Sequence, residues 1–260
     1  MKSFSQVNST GLFPRVLRLR GRLSLGLLSL LFMHGLMGQA QVEGPRQISV
    51  DAIQLIQVNM PPLHYRDSDG AYQLFKVSFR SRGERNKLPK GNQITLYREA
   101  LDEDNKTIMV PIFEIPVRGV EDGAILFFFA NQEGKVQFRL IDDSLDNPHT
   151  ALSARIVNLT DSVVVCKVGD SVVQLGPNED KYAEVKTSED KRFRFGFAMQ
   201  EVDGYQKYAP VKTLKFPTET TRFLSAITYT AFSKVAADGA EGHVLAPTSL
   251  RLYDQEVSNW

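Results

Sequence analysis

Three acidic clusters are the residues of this chain whose types and spacing could do ionic chemistry. Asp67-Ser-Asp-Gly70, Asp102-Glu-Asp-Asn105 and Asp142-Asp-Ser-Leu-Asp146 group carboxylates and amides, the hard oxygen donors that calcium prefers. None completes a twelve-residue calcium loop, because the spaced bidentate glutamate is missing. The same residues are what a hairpin tip uses to bond its own backbone, so the turn reading comes first. Asp142, Asp143 and Asp146 are the calcium candidates, since they sit where the chain could divide into two halves.

A basic stretch is the second candidate. Arg80-Ser-Arg-Gly-Glu-Arg-Asn-Lys-Leu-Pro-Lys90 places Arg80, Arg82, Arg85, Lys87 and Lys90 close together. They could grip sulfate, carboxylated polysaccharide or lipid headgroups. The plainer alternative is a solvated connection between two strands. Tyr205, Tyr208 and Phe216 form a third candidate in the Pro-containing stretch 203–220, where exposed rings could stack on sugars or else cover a core.

Nothing else points to catalysis. His64, His149 and His243 are far apart and lack the spacing that puts two metal ligands on one element. No nucleophile elbow, phosphate-cradling loop or dinucleotide fingerprint is present. Cys166 stands alone within Val163-Val-Val-Cys-Lys-Val168, so no intrachain disulfide can form, and it reads as a small core side chain. The expectation is a non-enzymatic protein with no cofactor and no catalytic residues. An all-β hydrolase, which needs paired carboxylates converging in a cleft, is the weaker alternative.

The elements that must position these residues read as strands. Runs of β-branched and aromatic residues alternate with acidic, Gly, Asn or Pro turns. The expected strands before the middle of the chain are 48–58, 72–79, 93–99, 108–117, 124–130 and 135–141. Those after it are 153–160, 163–168, 171–175, 181–185, 192–197, 213–216, 223–232 and 249–253. Arg192-Phe-Arg-Phe-Gly-Phe197 alternates cleanly, with Phe193, Phe195 and Phe197 on one face and the arginines on the other. No segment carries a sustained helical period, so the expected fold class is all-β, an antiparallel β-sandwich. An internal echo suggests two tandem sandwich-like halves, 41–146 and 147–260. Val136-Gln-Phe-Arg-Leu-Ile-Asp-Asp143 resembles Ser249-Leu-Arg-Leu-Tyr-Asp254, and each follows a strongly apolar strand.

A resemblance adds to this. Ile141-Asp-Asp-Ser144, Ser153-Ala-Arg-Ile-Val-Asn-Leu-Thr160 and Val168-Gly-Asp-Ser-Val-Val-Gln-Leu-Gly-Pro-Asn178 together resemble a pattern in uncharacterised exported bacterial β-sandwich proteins. There an Arg-apolar-apolar-Asn-Leu-Ser/Thr strand leads to a Gly-Asp turn and a Leu-x-Pro-Gly corner. Gly176-Pro177-Asn178 stands where that pattern has Pro-Gly, and Asn tolerates positive φ. The resemblance implies a fold and an envelope location, and it supplies no catalytic residues.

Residues 1–40 read as a signal peptide. Lys2, Arg15, Arg18, Arg20 and Arg22 precede the apolar run Leu23–Met33, and Gly38-Gln39-Ala40 offers a cleavage site after Ala40. The apolar run is too short to span a bilayer, which needs about 20 residues. The chain has 31 Lys+Arg and 30 Asp+Glu; without the five basic residues of the signal, 26 face 30. That acidic balance excludes nucleic acid as a natural partner, and no membrane span is expected after signal removal. The expected protein is therefore exported, periplasmic or extracellular, with a structural or interaction role in the cell envelope. Its partner would be an envelope protein or polysaccharide, and a carbohydrate-binding accessory module is the alternative.

Overall fold

The computed structural model describes residues 46–255, save 57–59, 132, 134, 145–149, 202–203 and 236–240. Residues 1–40, expected as a signal peptide, and Asp146, His149 and Val58 therefore lie outside the described residues. Among the described residues there is no helix, and the fold is all-β, as the period-two patterning implies. Among them no helix is long and apolar enough to cross a membrane.

Among the described residues nine strands come first: β1 Gln47–Gln54, β2 Leu63–Arg66, β3 Tyr72–Phe75, β4 Val77–Phe79, β5 Asn86–Pro89, β6 Gln93–Leu101, β7 Thr107–Pro116, β8 Gly123–Ala130 and β9 Val136–Asp142. They make two sheets. In one, β1 pairs in parallel with β8, β8 pairs with β9, and β1's other edge is shared by β5 and β4. The other has the order β3-β2-β6-β7.

Eight strands follow: β10 Ser153–Asn158, β11 Val164–Val168, β12 Ser171–Leu175, β13 Asp180–Glu184, β14 Arg192–Glu201, β15 Gly204–Lys215, β16 Thr221–Val235 and β17 Glu241–Gln255. Their sheets, β13-β10-β16-β17 and β12-β11-β14-β15, repeat the first two strand for strand, including the parallel central pair β10–β16. Only β4 has no counterpart. The two sequence segments that echo each other occupy β9 and β17, which hold corresponding places. The central parallel pairs make two of the four sheets mixed rather than wholly antiparallel.

Side-chain alternation explains the layering. In the first half, Val50, Leu96, Ile115, Leu126 and Phe128 fill the space between its two sheets. In the second, Ile156, Cys166, Phe195, Phe216 and Phe223 do the same. A third apolar layer joins the halves: Ile53, Leu55, Ile125, Phe127 and Phe129 meet Val157, Leu159, Leu224 and Ala226. Strand β8 is thus covered on both faces, and every one of its residues is buried. That is why Ile125-Leu-Phe-Phe-Phe129 is a continuous apolar run instead of an alternating one. All the strands belong to one compact unit, Gly44–Trp260.

Candidate functional site

The largest convergence of charge is buried. Asp51 is a lone acid within the apolar strand β1, and Asp143 immediately follows β9. Arg82 and Arg85 come from the β4–β5 connection, and Arg222 from β16. Arg82 Nη1 lies 3.3 Å from Asp51 Oδ2 and 3.0 Å from Asp143 Oδ2. Arg85 Nη2 is 3.4 Å from Asp143 Oδ2, and Arg222 Nη2 is 3.2 Å from Asp143 Oδ1. The Gly83 amide donates to Asp51 Oδ1 at 3.3 Å. Burial pushes the Asp51 carboxyl above the ordinary aspartate range, with the Arg82 charge opposing it. Burial likewise lowers the affinity of Arg85 for its proton, against the pull of Asp143.

A second cluster repeats the device. Arg155 on β10 donates Nε and Nη2 to Asp180 Oδ2 at 2.9 and 2.7 Å, and Nη1 to the carbonyl of Asp142. Asp180 also faces Arg139 of β9 at 3.6 Å, and Arg155 lies 4.9 Å over the Tyr182 ring. Both clusters connect residues of the first half to residues of the second. Chemically they clamp: each carboxylate is turned toward guanidinium groups, and desolvated pairs of this kind are strongly geometry-dependent.

The five basic residues of the 80–90 stretch therefore do not share one surface. Arg82 and Arg85 enter the clamp. Lys90 Nζ reaches Glu121 Oε2 and its carbonyl, both at 2.9 Å. Arg80 takes a positive φ of 52° and lies exposed with its guanidinium 6.0 Å over Phe79, while Lys87 is exposed on β5. The stretch is not a loop throughout, since Asn86–Pro89 is a strand paired with β1. Asn86 holds that corner, donating Nδ2 to the carbonyls of Val50 and Lys76 and accepting from the Lys76 amide.

Of the calcium candidates, Asp142 accepts from the amide and hydroxyl of Ser144. Asp143 is ringed by arginines, whose charge would repel a cation, and Asp146 lies outside the described residues. Among the described residues no group of three His, Cys, Asp or Glu side chains could hold a metal ion. The other acidic tips bond their own backbones. Asp67 Oδ1 accepts from the Asp69 and Ala71 amides at 3.0 and 2.9 Å, and Asp102 Oδ1 from those of Asp104 and Lys106 at 2.9 and 2.8 Å. The hydrogen bond from Gln73 holds the Asp67 carboxyl below the usual range.

Cys166 is fully buried in the second core, and burial pushes its thiol up to about 12. His64 lies half-buried on β2, with Nε2 3.9 Å from Glu99, and His243 falls on β17 opposite Ser233. The stretch 203–220, expected to hold a strand only over 213–216, is largely the strand β15. Tyr205 on it is exposed, Tyr208 shares the strand, and Phe216 is buried and stacked on Phe193 at 4.7 Å. Asn158 is a buried staple: Nδ2 donates to the Ser162 and Gly176 carbonyls, both at 2.8 Å, and Oδ1 accepts from the Thr160 amide at 3.0 Å. Asn178 takes the positive φ, 54°, that its corner requires.

Sequence reasoning missed Asp51, Arg155, Asp180 and Arg222. A usable signal existed. Asp51 and Arg155 each interrupt an apolar strand with one charge, and a charged side chain inside a core is found paired.

Two open grooves lie among the described residues. One, about 220 Å³, lies among Tyr65, Arg66, Lys90, Gln93 and Tyr97. The other, about 460 Å³, lies among Lys167, Asp170, Lys186, Ser188, Arg192 and Arg194. Both sit at the same place in their halves: the end of β2 or β11, the connection after β5 or β13, and the start of β6 or β14. No family model matches the chain, and comparison with curated proteins finds no match.

Proposed function

We infer that the protein is an exported, non-catalytic module of the bacterial cell envelope with a structural or interaction role. The observation that carries this reading is where its buried charge goes. Asp143 and Asp180 face guanidinium groups that bind the two halves to each other, and Asp51 pairs with Arg82 beside Asp143, whereas hydrolysis of a glycosidic bond needs carboxylates flanking the bond in a cleft. The open grooves and sheet faces are left for partners. The basic-apolar-small sequence ending at Ala40 and the resemblance of residues 141–178 to exported sandwich proteins support the location.

A carbohydrate-binding accessory module is the second reading. It is favoured by the Tyr72–Tyr97 edge-to-face pair, with ring centres 5.1 Å apart, beside the first groove, and by Arg66 over Tyr72 at 5.5 Å. The test is expression of the full-length chain in a bacterial host, followed by fractionation, mass spectrometry of the N-terminus and co-sedimentation with isolated envelopes. The expected product begins at Gln41 and sediments with the envelopes. A cytoplasmic chain retaining Met1 sinks the export reading, and a product that stays in the supernatant sinks the interaction role.

A further inference from the structure

The groove of the second half gathers positive charge that is only partly paired within the fold. Lys167 of β11 and Arg192 and Arg194 of β14 alternate with the buried Val168, Phe193 and Phe195, so they stand on the outer face of their sheet. Lys186 follows β13 and is exposed. Arg192 stands directly opposite Lys215 of β15. A like-charged cross-strand pair destabilises a sheet. Asp190 offsets part of it, with Oδ2 2.7 Å from Arg192 Nε. Lys167 Nζ donates to the Asp170 carbonyl at 2.7 Å, which leaves its charge uncompensated. Arg194 and Lys186 have no ion-pair partner among the described residues. Asp170 is the one carboxylate lining the groove among those residues.

The groove is shaped by backbone. Gly169 takes a φ of +58°, and its amide donates to the Arg194 carbonyl at 2.7 Å. L side chains rarely adopt that conformation, so the glycine lets the β11–β12 turn form against the β13–β14 connection. Beyond its signal segment the chain is acidic overall, yet this recess gathers four cations.

We propose that the groove binds an acidic polysaccharide, a sugar chain bearing carboxylates or sulfates, through Lys167, Lys186, Arg192 and Arg194. The proposal rests on the envelope-interaction reading and names its ligand class. Arginine forks suit carboxylate and sulfate geometry, with lysines adding point charges. Single-stranded nucleic acid fits less well, because base stacking needs exposed rings and the lining Phe193 is 3% exposed.

Isothermal titration of the purified chain with polygalacturonate, neutral dextran and oligo(dT) tests this. Polygalacturonate should bind, more weakly as ionic strength rises past about 0.15 M, and dextran should not. The double variant Lys167→Gln/Arg194→Gln should lose about tenfold or more in affinity at an unchanged melting temperature. Lys106→Gln/Lys135→Gln, at distant hairpin tips, should leave binding intact. Absent polygalacturonate binding, or binding that the groove variant leaves unchanged, overturns the proposal. Equal or tighter binding of oligo(dT) also overturns it, and so does equal binding of dextran. Should it fall while co-sedimentation with envelopes persists, the interaction role stands and only its ligand class is lost.

Discussion

Asp143 is fully enclosed, and the arginines around it come from both halves of the chain. Removing one partner of a buried pair leaves the other charge uncompensated, so Asp143→Ala should destabilise by about 3–5 kcal/mol in urea titration. Asp51 gives a pH signature with a defined sign. Its folded pKa lies above the unfolded value of 3.8, so the folded state holds its proton more tightly. Its ionisation therefore subtracts stability as pH rises from 3.8 through the raised folded value. Wild type minus Asp51→Asn stability should fall across that window, and a rise would contradict the assignment. Cys166, fully buried with its thiol raised to about 12, should react with a thiol reagent only as fast as the core opens. Labelling of the native protein at the rate of a free thiol would refute that burial. At this scale the sequence was a partial guide. The acidic hairpin tips were readable because Asx turns are local. The clamp was not, because its partners lie far apart along the chain: Asp51 with Arg82, and Asp143 with Arg222.

Strand legibility followed burial. Strands β8 and β16 were readable as dense apolar runs, and β14 as a clean alternation, because packing imposes both patterns. Strands β2 and β5 escaped notice at four residues each, with Pro61-Pro62 just before one and Pro89 closing the other. Strand β15 was legible only from residue 213, because Pro210 and a lysine-rich composition break its apolar pattern and residues 211–213 face solvent. Phe127 on β8 is fully buried between the halves. Phe127→Ala should cost about 3–5 kcal/mol, measured by urea denaturation, and a loss below about 1 kcal/mol would mean that the shared layer collapses around the gap. Gly123 begins the same strand, and a Cβ there would stand 2.8 Å from the Asp143 carbonyl oxygen. Gly123→Ala should therefore displace the clamp and destabilise the fold, even though its φ is ordinary.

Taken whole, the molecule is one architecture made twice and joined face to face. The shared layer of Ile53, Phe127 and Leu224 and the two ion clusters, through Arg139–Asp180 and Asp143–Arg222, cross the same boundary. Thermal unfolding should thus be a single cooperative transition by calorimetry; two separated transitions would show that the halves are held only weakly. The corresponding grooves differ: one holds Tyr65 and Tyr97, and the other Lys167, Lys186, Arg192 and Arg194.

The parallel pairing of β1 with β8 sets a condition on time as well as shape. Ser49 meets Gly123, and Ala154 meets Phe223, each across roughly seventy residues of intervening chain. The opening strand of each half must wait for its central partner, exposing an apolar edge until that partner arrives. High contact order of this sort places folding in the millisecond-to-second range. A chain emerging from its N-terminus would therefore stay aggregation-prone until β8 closes the first sheet, and again until β16 closes the third.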